Sequence, residues 1–309
     1  MSTLLAYLED ERGPAQRLAR ACRLEHKEIA RHRFPDDELK LVIDLPTDIS
    51  TLVLYRGLDR PNEKLVELLL LARHARLSGV QRLLLVTPYL GYMRQDIAFQ
   101  PGEIVSQTII GGFLAELFDA VMTVDPHLHR ISRLDQAIPL PAAIALSAAG
   151  SLADLVAQRR ANPLLVGPDA ESRQWVESAA AAHQLDHAVC TKERRGDRDV
   201  DIALPDIAVA GRAVVLLDDV ASSGHTLAGA ARLLLAAGAA SVDVAVTHAL
   251  FAGDALNVME AAGIGEVWST DCIQHHSNVV PMAPLLAAAL LTLLDDNSHC
   301  GLARPREGL

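Results

Sequence analysis

Residues 213–226 read AVVLLDDVASSGHT. An apolar run stops at two carboxylates, Asp218 and Asp219, and the small or hydroxylated Ser222, Ser223, Gly224 and Thr226 follow. A helix-period stretch, LAGAARLLLAAGA, comes next. Strand, short polar loop and helix in that order leave bare N–H groups at a helix N-terminus, where the dipole also favours an anion. The hydroxyls add donors, and Gly224 lets the backbone approach a phosphate. Paired acids suit the hydroxyls of a sugar, or a metal beside them, better than they suit phosphate. Donors at the base and acids at the lip fit a phosphorylated sugar. An ordinary βα turn capped by Ser or Asp uses the same residue types, so the loop alone leaves both readings open.

Other stretches also carry reactive side chains. TVDPHLHR (123–130) sets Asp125, His127 and His129 at the end of an apolar run. An HxH pair can bind a transition metal, but no third and fourth ligand at metal spacing accompanies it, so zinc is not expected. Asp169, in LLVGPDAES, follows another apolar run and reads equally as a Pro-Asp turn before a helix. In RFPDDELKLVIDL (33–45), an extended backbone would put Phe34, Asp36 and Glu38 on one face. A ring beside two acids could hold a purine; an edge strand with an acidic outer face looks the same. TPYLGYMRQD (87–96) offers Arg94, Gln95 and Asp96, a stacking cation beside an amide and a carboxylate. CTKERRGDRDVD (190–201) is a charged, glycine-containing loop of the kind that is usually solvated.

These residues need a scaffold. The 309 residues suffice for about two domains. Half are hydrophobic but only 4% aromatic, so Ala and Leu fill the interior, which favours helices packed on a sheet. Apolar runs at 51–55, 82–87, 120–124, 164–167, 213–217, 242–247 and 266–269 alternate with helix-period stretches, which predicts βαβ units and mostly parallel sheets. GVQRLLLVTP (79–88) is echoed by GAASVDVAVTH (238–248), and DAVMTVDPH (119–127) by GEVWSTDCIQH (265–275). A duplicated α/β domain follows, with parts 1–145 and 146–309 joined near Ala142–Gly150. A net charge of −11 argues against a nucleic-acid or membrane-surface binder, which needs a basic face. Cys22, Cys190, Cys272 and Cys300 stand far apart, suggesting neither zinc site nor disulfide framework. Charge arrives by Glu9, leaving no signal-peptide core, and the longest apolar run, Ala283–Leu294, is shorter than the ~20 residues a bilayer needs. A soluble cytoplasmic protein is expected.

LLDDVASSGHT resembles the phosphoribosyl-binding loop of the phosphoribosyltransferase superfamily. FPD-x-E, YxGYxRQD, TVDPH, the acid after the 164–167 run, the 190–201 loop and THALFAGDA (247–255) resemble, in order from Phe34 to Ile273, the ribose-phosphate diphosphokinases. The resemblance implies two tandem phosphoribosyltransferase-like domains, nucleotide side first. It also implies transfer of the ATP diphosphoryl group to the 1-hydroxyl of ribose 5-phosphate, with release of AMP. Asp218, Asp219, Ser222, Ser223, Gly224 and Thr226 would hold ribose 5-phosphate, and His127 and Asp169 the Mg²⁺. Arg94, Gln95 and Asp96 would contact ATP, with Phe34, Asp36 and Glu38 supplied by a neighbouring subunit of a homo-oligomer. Lys192 and Arg194 would be catalytic, in a mobile loop closing over the triphosphate. Moving a diphosphoryl group needs cations aimed at its oxygens, and positioning with electrostatics supplies most of the catalysis. No Gly-Lys-Ser/Thr occurs, which closes the P-loop kinase route.

The chain departs from the family pattern at four places. Ser222 and Ser223 replace an acid and a Thr, His225 a Gly, Ala170–Glu171–Ser172 a glycine-rich turn, and Asp37 the Gly of FPDGE. A phosphoribosyltransferase that consumes the diphosphate is the rival enzyme, and a non-catalytic synthetase partner is a second rival. The doubled domain, the RQD segment and the Lys192/Arg194 loop stand against the transferase. The presence of both basic loop residues, with a length that leaves no room for a large regulatory insertion, stands against the non-catalytic partner.

Overall fold

The computed structural model describes residues 2–128, 130–194, 200–204 and 207–296, with the backbone alone at 192–194, 200–202 and 296. In chain order the first part carries β1 (Ser2–Leu8), α1 (Arg12–Cys22), β2 (Glu25–Arg33), β3 (Leu39–Val42), β4 (Ile49–Tyr55), α2 (Pro61–Leu77), β5 (Arg82–Val86), α3 (Ser106–Leu117), β6 (Ala120–Val124) and β7 (Ala143–Leu146). The second carries α4 (Ala149–Arg159), β8 (Leu164–Gly167), α5 (Arg173–His183), β9 (His187–Val189), β10 (Thr191–Arg194), β11 (Val200–Ala203) and β12 (Ala213–Ala221). It ends with α6 (His225–Ala236), β13 (Ser241–Ala249), α7 (Ala255–Glu260), β14 (Val267–Thr270), β15 (Asn278–Val280) and α8 (Ala283–Asp296).

One sheet runs β3-β2-β1-β4-β5-β6-β7, parallel except for β3, and the other runs β15-β14-β13-β12-β8-β9. Every neighbouring pair of the second sheet is parallel. Read from β9, the second sheet repeats the succession β2-β1-β4-β5-β6-β7 of the first. The repeat extends to detail: β1 and β8 each pass through a 3₁₀ turn (Glu9–Glu11, Ala170–Ser172) into a helix. The echoes in sequence therefore mark β5 with β13 and β6 with β14.

Alternation along the strands sends successive side chains to opposite faces. Leu4, Leu52 and Leu85 pack on one side of the first sheet with Leu68, Leu71 and Leu114 of α2 and α3. Val214, Leu216 and Val244 do the same in the second sheet against Leu227 and Leu234 of α6. The opposite faces, with Leu5, Tyr7, Val53, Leu165, Val215 and Leu217, share one cluster with Leu18, Leu152, Val176 and Leu286 of α1, α4, α5 and α8. Helix α8, at the far end of the chain, packs back on α1, and Arg82 Nη2 donates to the Leu293 carbonyl at 2.7 Å. Among the described residues no helix is long and apolar enough to cross a membrane.

Three expectations need correction. Strand β12 does not stop before the acids but continues to Ala221, with Asp218 opposite Val246 and Val220 opposite His248. Ladder hydrogen bonds use the backbone alone, so a polar side chain does not end a strand whose neighbour continues. Phe34–Glu38 is not extended but the turn joining antiparallel β2 and β3, closed by Phe34 N–H to Glu38 O and Asp37 N–H to Phe34 O. Asp37 there has φ +70°, a left-handed value that glycine adopts freely and Asp more readily than most residues. The Lys192/Arg194 segment is strand β10, paired antiparallel to β11 in a ribbon separate from both sheets.

Candidate active site

The parallel strands of the second sheet deliver their loops to one edge, where a cavity of about 210 Å³ opens. Asp218, Asp219, Ser222, Ser223, Gly224 and Thr226 line it from β12 and the start of α6. Asp169 and Glu171 line it from the turn after β8, and His127 from the loop after β6 of the other sheet. The cavity thus draws on both halves of the chain.

Local chemistry holds each wall. The Phe251 N–H donates to the Ala221 carbonyl at 2.9 Å and the Ala252 N–H to that of Ser222 at 3.0 Å, strapping the loop to the THALFAGDA segment. Gly224 turns the chain into α6 with φ +75°, and a Cβ there would lie 3.0 Å from the Ala255 carbonyl oxygen. Two separate constraints therefore require glycine. Asp169 caps its own turn, its Oδ1 accepting from the Glu171 N–H at 3.0 Å. Asp219 Oδ2 meets His127 Nδ1 at 2.6 Å, across the boundary between the two sheets.

The acids are not equivalent. Burial, then the charges of Asp219 and Asp169, push Asp218 well above the usual carboxylate range. Burial would raise Asp219 too, but the hydrogen bond and charge of His127 outweigh it and hold Asp219 below that range. Asp219 is ionised at neutral pH, whereas Asp218 sits among like charges that a cation would relieve. Among the described residues no three His, Cys, Asp or Glu side chains are close enough to cage a metal by themselves. The carboxylates of Asp169, Asp218 and Asp219 in the wall of one cavity are oxygen donors of the kind Mg²⁺ takes, one or two at a time, together with waters and substrate phosphates. The residues present fit such an ion.

The remaining site candidates lie elsewhere. Arg94, Gln95 and Asp96 follow β5, and Arg130 ties this segment to the His127 loop by donating to Asp96 Oδ1 at 2.6 Å. Gln95 Nε2 donates to the Ile97 carbonyl at 2.9 Å, and Arg94 is exposed. None of the three lines the cavity. Phe34, Asp36 and Glu38 are all exposed at the β2–β3 turn. Strand β2 is four places from β6, about 19 Å at the usual strand spacing, so this turn does not reach the cavity of its own chain. The ribbon carrying Lys192 and Arg194 leaves the second sheet at Cys190, whose N–H bonds the Gly167 carbonyl two residues before Asp169. The side chains of Lys192 and Arg194, and all of His129, lie outside the described residues.

Sequence reasoning missed Arg130 and the placement of Glu171 in the cavity wall. Glu171 had a signal, since it stands where the family pattern has glycine. Arg130 had none, because its partner Asp96 is 34 residues away.

A chain with two duplicated parallel sheets and an acid-rimmed, glycine-turned loop at the edge of the second has the architecture of the phosphoribosyltransferase class. The family model described as the N-terminal domain of ribose phosphate pyrophosphokinase matches residues 4–117, and the phosphoribosyl transferase domain matches residues 141–269. A ribose-phosphate pyrophosphokinase of Methanosarcina acetivorans is 33% identical over 282 residues, 90% of this chain and 96% of the relative. One of Methanopyrus kandleri is 31% identical over 282 residues, covering 90% and 95%. The crystal structure of phosphoribosylpyrophosphate synthetase from Mycobacterium smegmatis superposes with a TM-score of 0.79 at 20% identity, over 96% of this chain and all of the other. The chain belongs to the ribose-phosphate pyrophosphokinase family.

Proposed function

We propose that this enzyme joins ATP and ribose 5-phosphate in the 210 Å³ cavity and its approach, releasing AMP and 5-phosphoribosyl 1-diphosphate. The convergence of His127 with Asp169, Asp218, Asp219 and the 222–226 loop on one cavity is the observation that carries this reading. Ser222, Ser223, Gly224 and Thr226 hold the 5-phosphate with hydroxyls and with N–H groups at the start of α6. Asp218 and Asp219 accept from the ribose hydroxyls, orienting the 1-hydroxyl for in-line attack on the β-phosphorus. His127 and Asp169 would hold Mg²⁺, which would supply positive charge against the phosphate oxygens. Lys192 and Arg194 add cations at the departing AMP oxygen and exclude water, which would otherwise hydrolyse ATP.

The nucleotide base rests near Arg94, Gln95 and Asp96, one strand from His127. Phe34, Asp36 and Glu38 come from a second copy of the chain; their distance from their own cavity and their exposure support that arrangement. Among the described residues Cys22, Cys190 and Cys272 are buried free thiols.

Phosphorus NMR of the enzyme with Mg²⁺, ATP and ribose 5-phosphate tests the reaction. AMP and a new diphosphate ester are expected to grow in step. Release of ADP instead, or no turnover with any sugar phosphate, overturns the proposal.

A further inference from the structure

His127 reaches Asp219 from the opposite half of the chain, and something must set that reach. The residue two places before it does more than end a strand. Asp125 is buried, has φ +37°, and its carboxylate accepts three hydrogen bonds. Trp175 Nε1 donates to Oδ1 at 3.0 Å, and Thr247 Oγ1 and the Ala148 N–H donate to Oδ2 at 2.7 and 3.0 Å. The donors come from α5, β13 and the entry to α4, all in the second half. His248 adds a fourth grip, its Nε2 lying 3.0 Å from the Val124 carbonyl and 3.2 Å from that of Asp125. Carbonyls only accept, so that nitrogen carries the proton. Asp125 itself does not line the cavity.

The duplication supplies an internal control. Asp271 ends β14 as Asp125 ends β6. Each N–H bonds the last strand of its own sheet (Asp271 to Val280, Asp125 to Leu146), and each carboxylate caps the segment two residues on, Met282 N–H at 2.6 Å and Ala148 N–H at 3.0 Å. Asp271 reaches across to the other half through Arg17 Nη2 at 2.7 Å, a partner 44% exposed. Across the boundary between the halves, Asp125 is held by the buried neutral donors Trp175 and Thr247 whereas Asp271 is held by the part-exposed cation Arg17, and two residues beyond Asp125 stands His127 of the cavity.

We infer that Asp125 is a positioning residue: clasped by Trp175, Thr247 and Ala148, it fixes His127 against Asp219 and so aligns the nucleotide half with the sugar-phosphate half. This deepens the proposed function and rests on His127 belonging to the reaction centre. Misplacing a catalytic group by about 1 Å can cost 10²-fold, so a small shift in the clasp should be visible in rate.

The test uses the full chain with Thr247→Val, Thr247→Ser and, at the sister junction, Arg17→Met. Thermal midpoint, kcat, KM for ribose 5-phosphate and the imidazole N–H proton of His127 are measured, the last identified by its absence in His127→Ala. Thr247→Val should lower kcat by about tenfold or more, leave KM within about twofold and move or broaden the His127 proton. Thr247→Ser should restore both signals. Arg17→Met should lower the thermal midpoint yet leave kcat and the His127 proton alone. A Thr247→Val enzyme with unchanged kcat and an unmoved proton overturns the inference, as does an equal loss of kcat in Arg17→Met. If the wild type made no diphosphate ester, the proton signal would still decide for or against the clasp, separately from the fate of the proposed function.

Discussion

The two halves share one succession of strands, yet the same corner is open in one and filled in the other. In the second half, the turn after β8 and the loop after β12 face each other across the acid-lined cavity. In the first half, the equivalent turn after β1 and loop after β4 are joined by Arg56, only 2% exposed. Its Nη1 donates to Asp10 Oδ2 at 2.7 Å and to Glu11 Oε1 at 3.3 Å, and its Nη2 lies 2.5 Å from Glu67 Oε2. Gly57 N–H donates to Glu11 Oε1 at 2.7 Å, where the second half leaves room for a ligand. Both corners carry an excess of acid. One satisfies it with its own cations, Arg56 at the centre with Arg31 and Lys64 beside it, and the other leaves it for substrate and cation. A duplicated fold can thus keep a single reaction centre by plugging its twin.

Removing the plug should have the largest effect on the comparison. Arg56→Met takes one buried cation from Glu11 and Glu67, leaving Lys64 at 3.9 Å from Glu11 and Arg31 at 2.6 Å from Glu67, so it should cost about 1–3 kcal/mol of stability. Chemical denaturation measures this, and turnover of the folded fraction should stay within a few-fold of wild type. A collapse of kcat with unchanged stability would show that the first-half corner takes part in the reaction.

Gly224→Ala challenges the open corner. The left-handed φ costs an L-residue about 1–2 kcal/mol, and the Ala255 carbonyl adds crowding. KM for ribose 5-phosphate should rise more than KM for ATP in initial-rate measurements. Equal rises would detach the loop from the sugar phosphate.

A third test concerns pH. Burial, opposed by Arg56, Lys64 and the Gly57 N–H, pushes Glu11 up to about 8 from an ordinary 4.5. Between those values the folded chain holds a proton that the unfolded chain has released. The stabilisation is complete below 4.5 and is lost as pH rises to 8. Glu11→Gln should therefore flatten the dependence of thermal midpoint on pH across that window. A curve parallel to wild type would mean that Glu11 is ionised in the folded state.

Much of this was legible in the amino-acid order because it is local. Strands β6 and β8 match their apolar runs, and β12 and β13 extend theirs by a few residues, since burial on both faces demands continuous hydrophobicity. The sugar-phosphate loop was legible because glycine, hydroxyls and acids must be adjacent to act together. The Arg56 plug was not: its partners Asp10, Glu11 and Glu67 come from β1's turn and α2, and no spacing announces them. Strand β2 was also missed, because EHKEIARHR buries only Ile29 and exposes most of the rest, so no apolar run announces it. The tripod of donors on Asp125 spans 122 residues to Thr247 and leaves no pattern in the chain.

Helix α8 gives the assembly of the molecule a fixed order. Leu286 and Leu290 complete the same apolar cluster as Leu18 and Ala19 of α1, so a nascent chain of half length emerges with one flank of its finished sheet bare. On the ribosome that flank waits for α8 to be translated, long after β7 is complete. Expressing the two halves as separate fragments would therefore part a sheet from the helix that covers it.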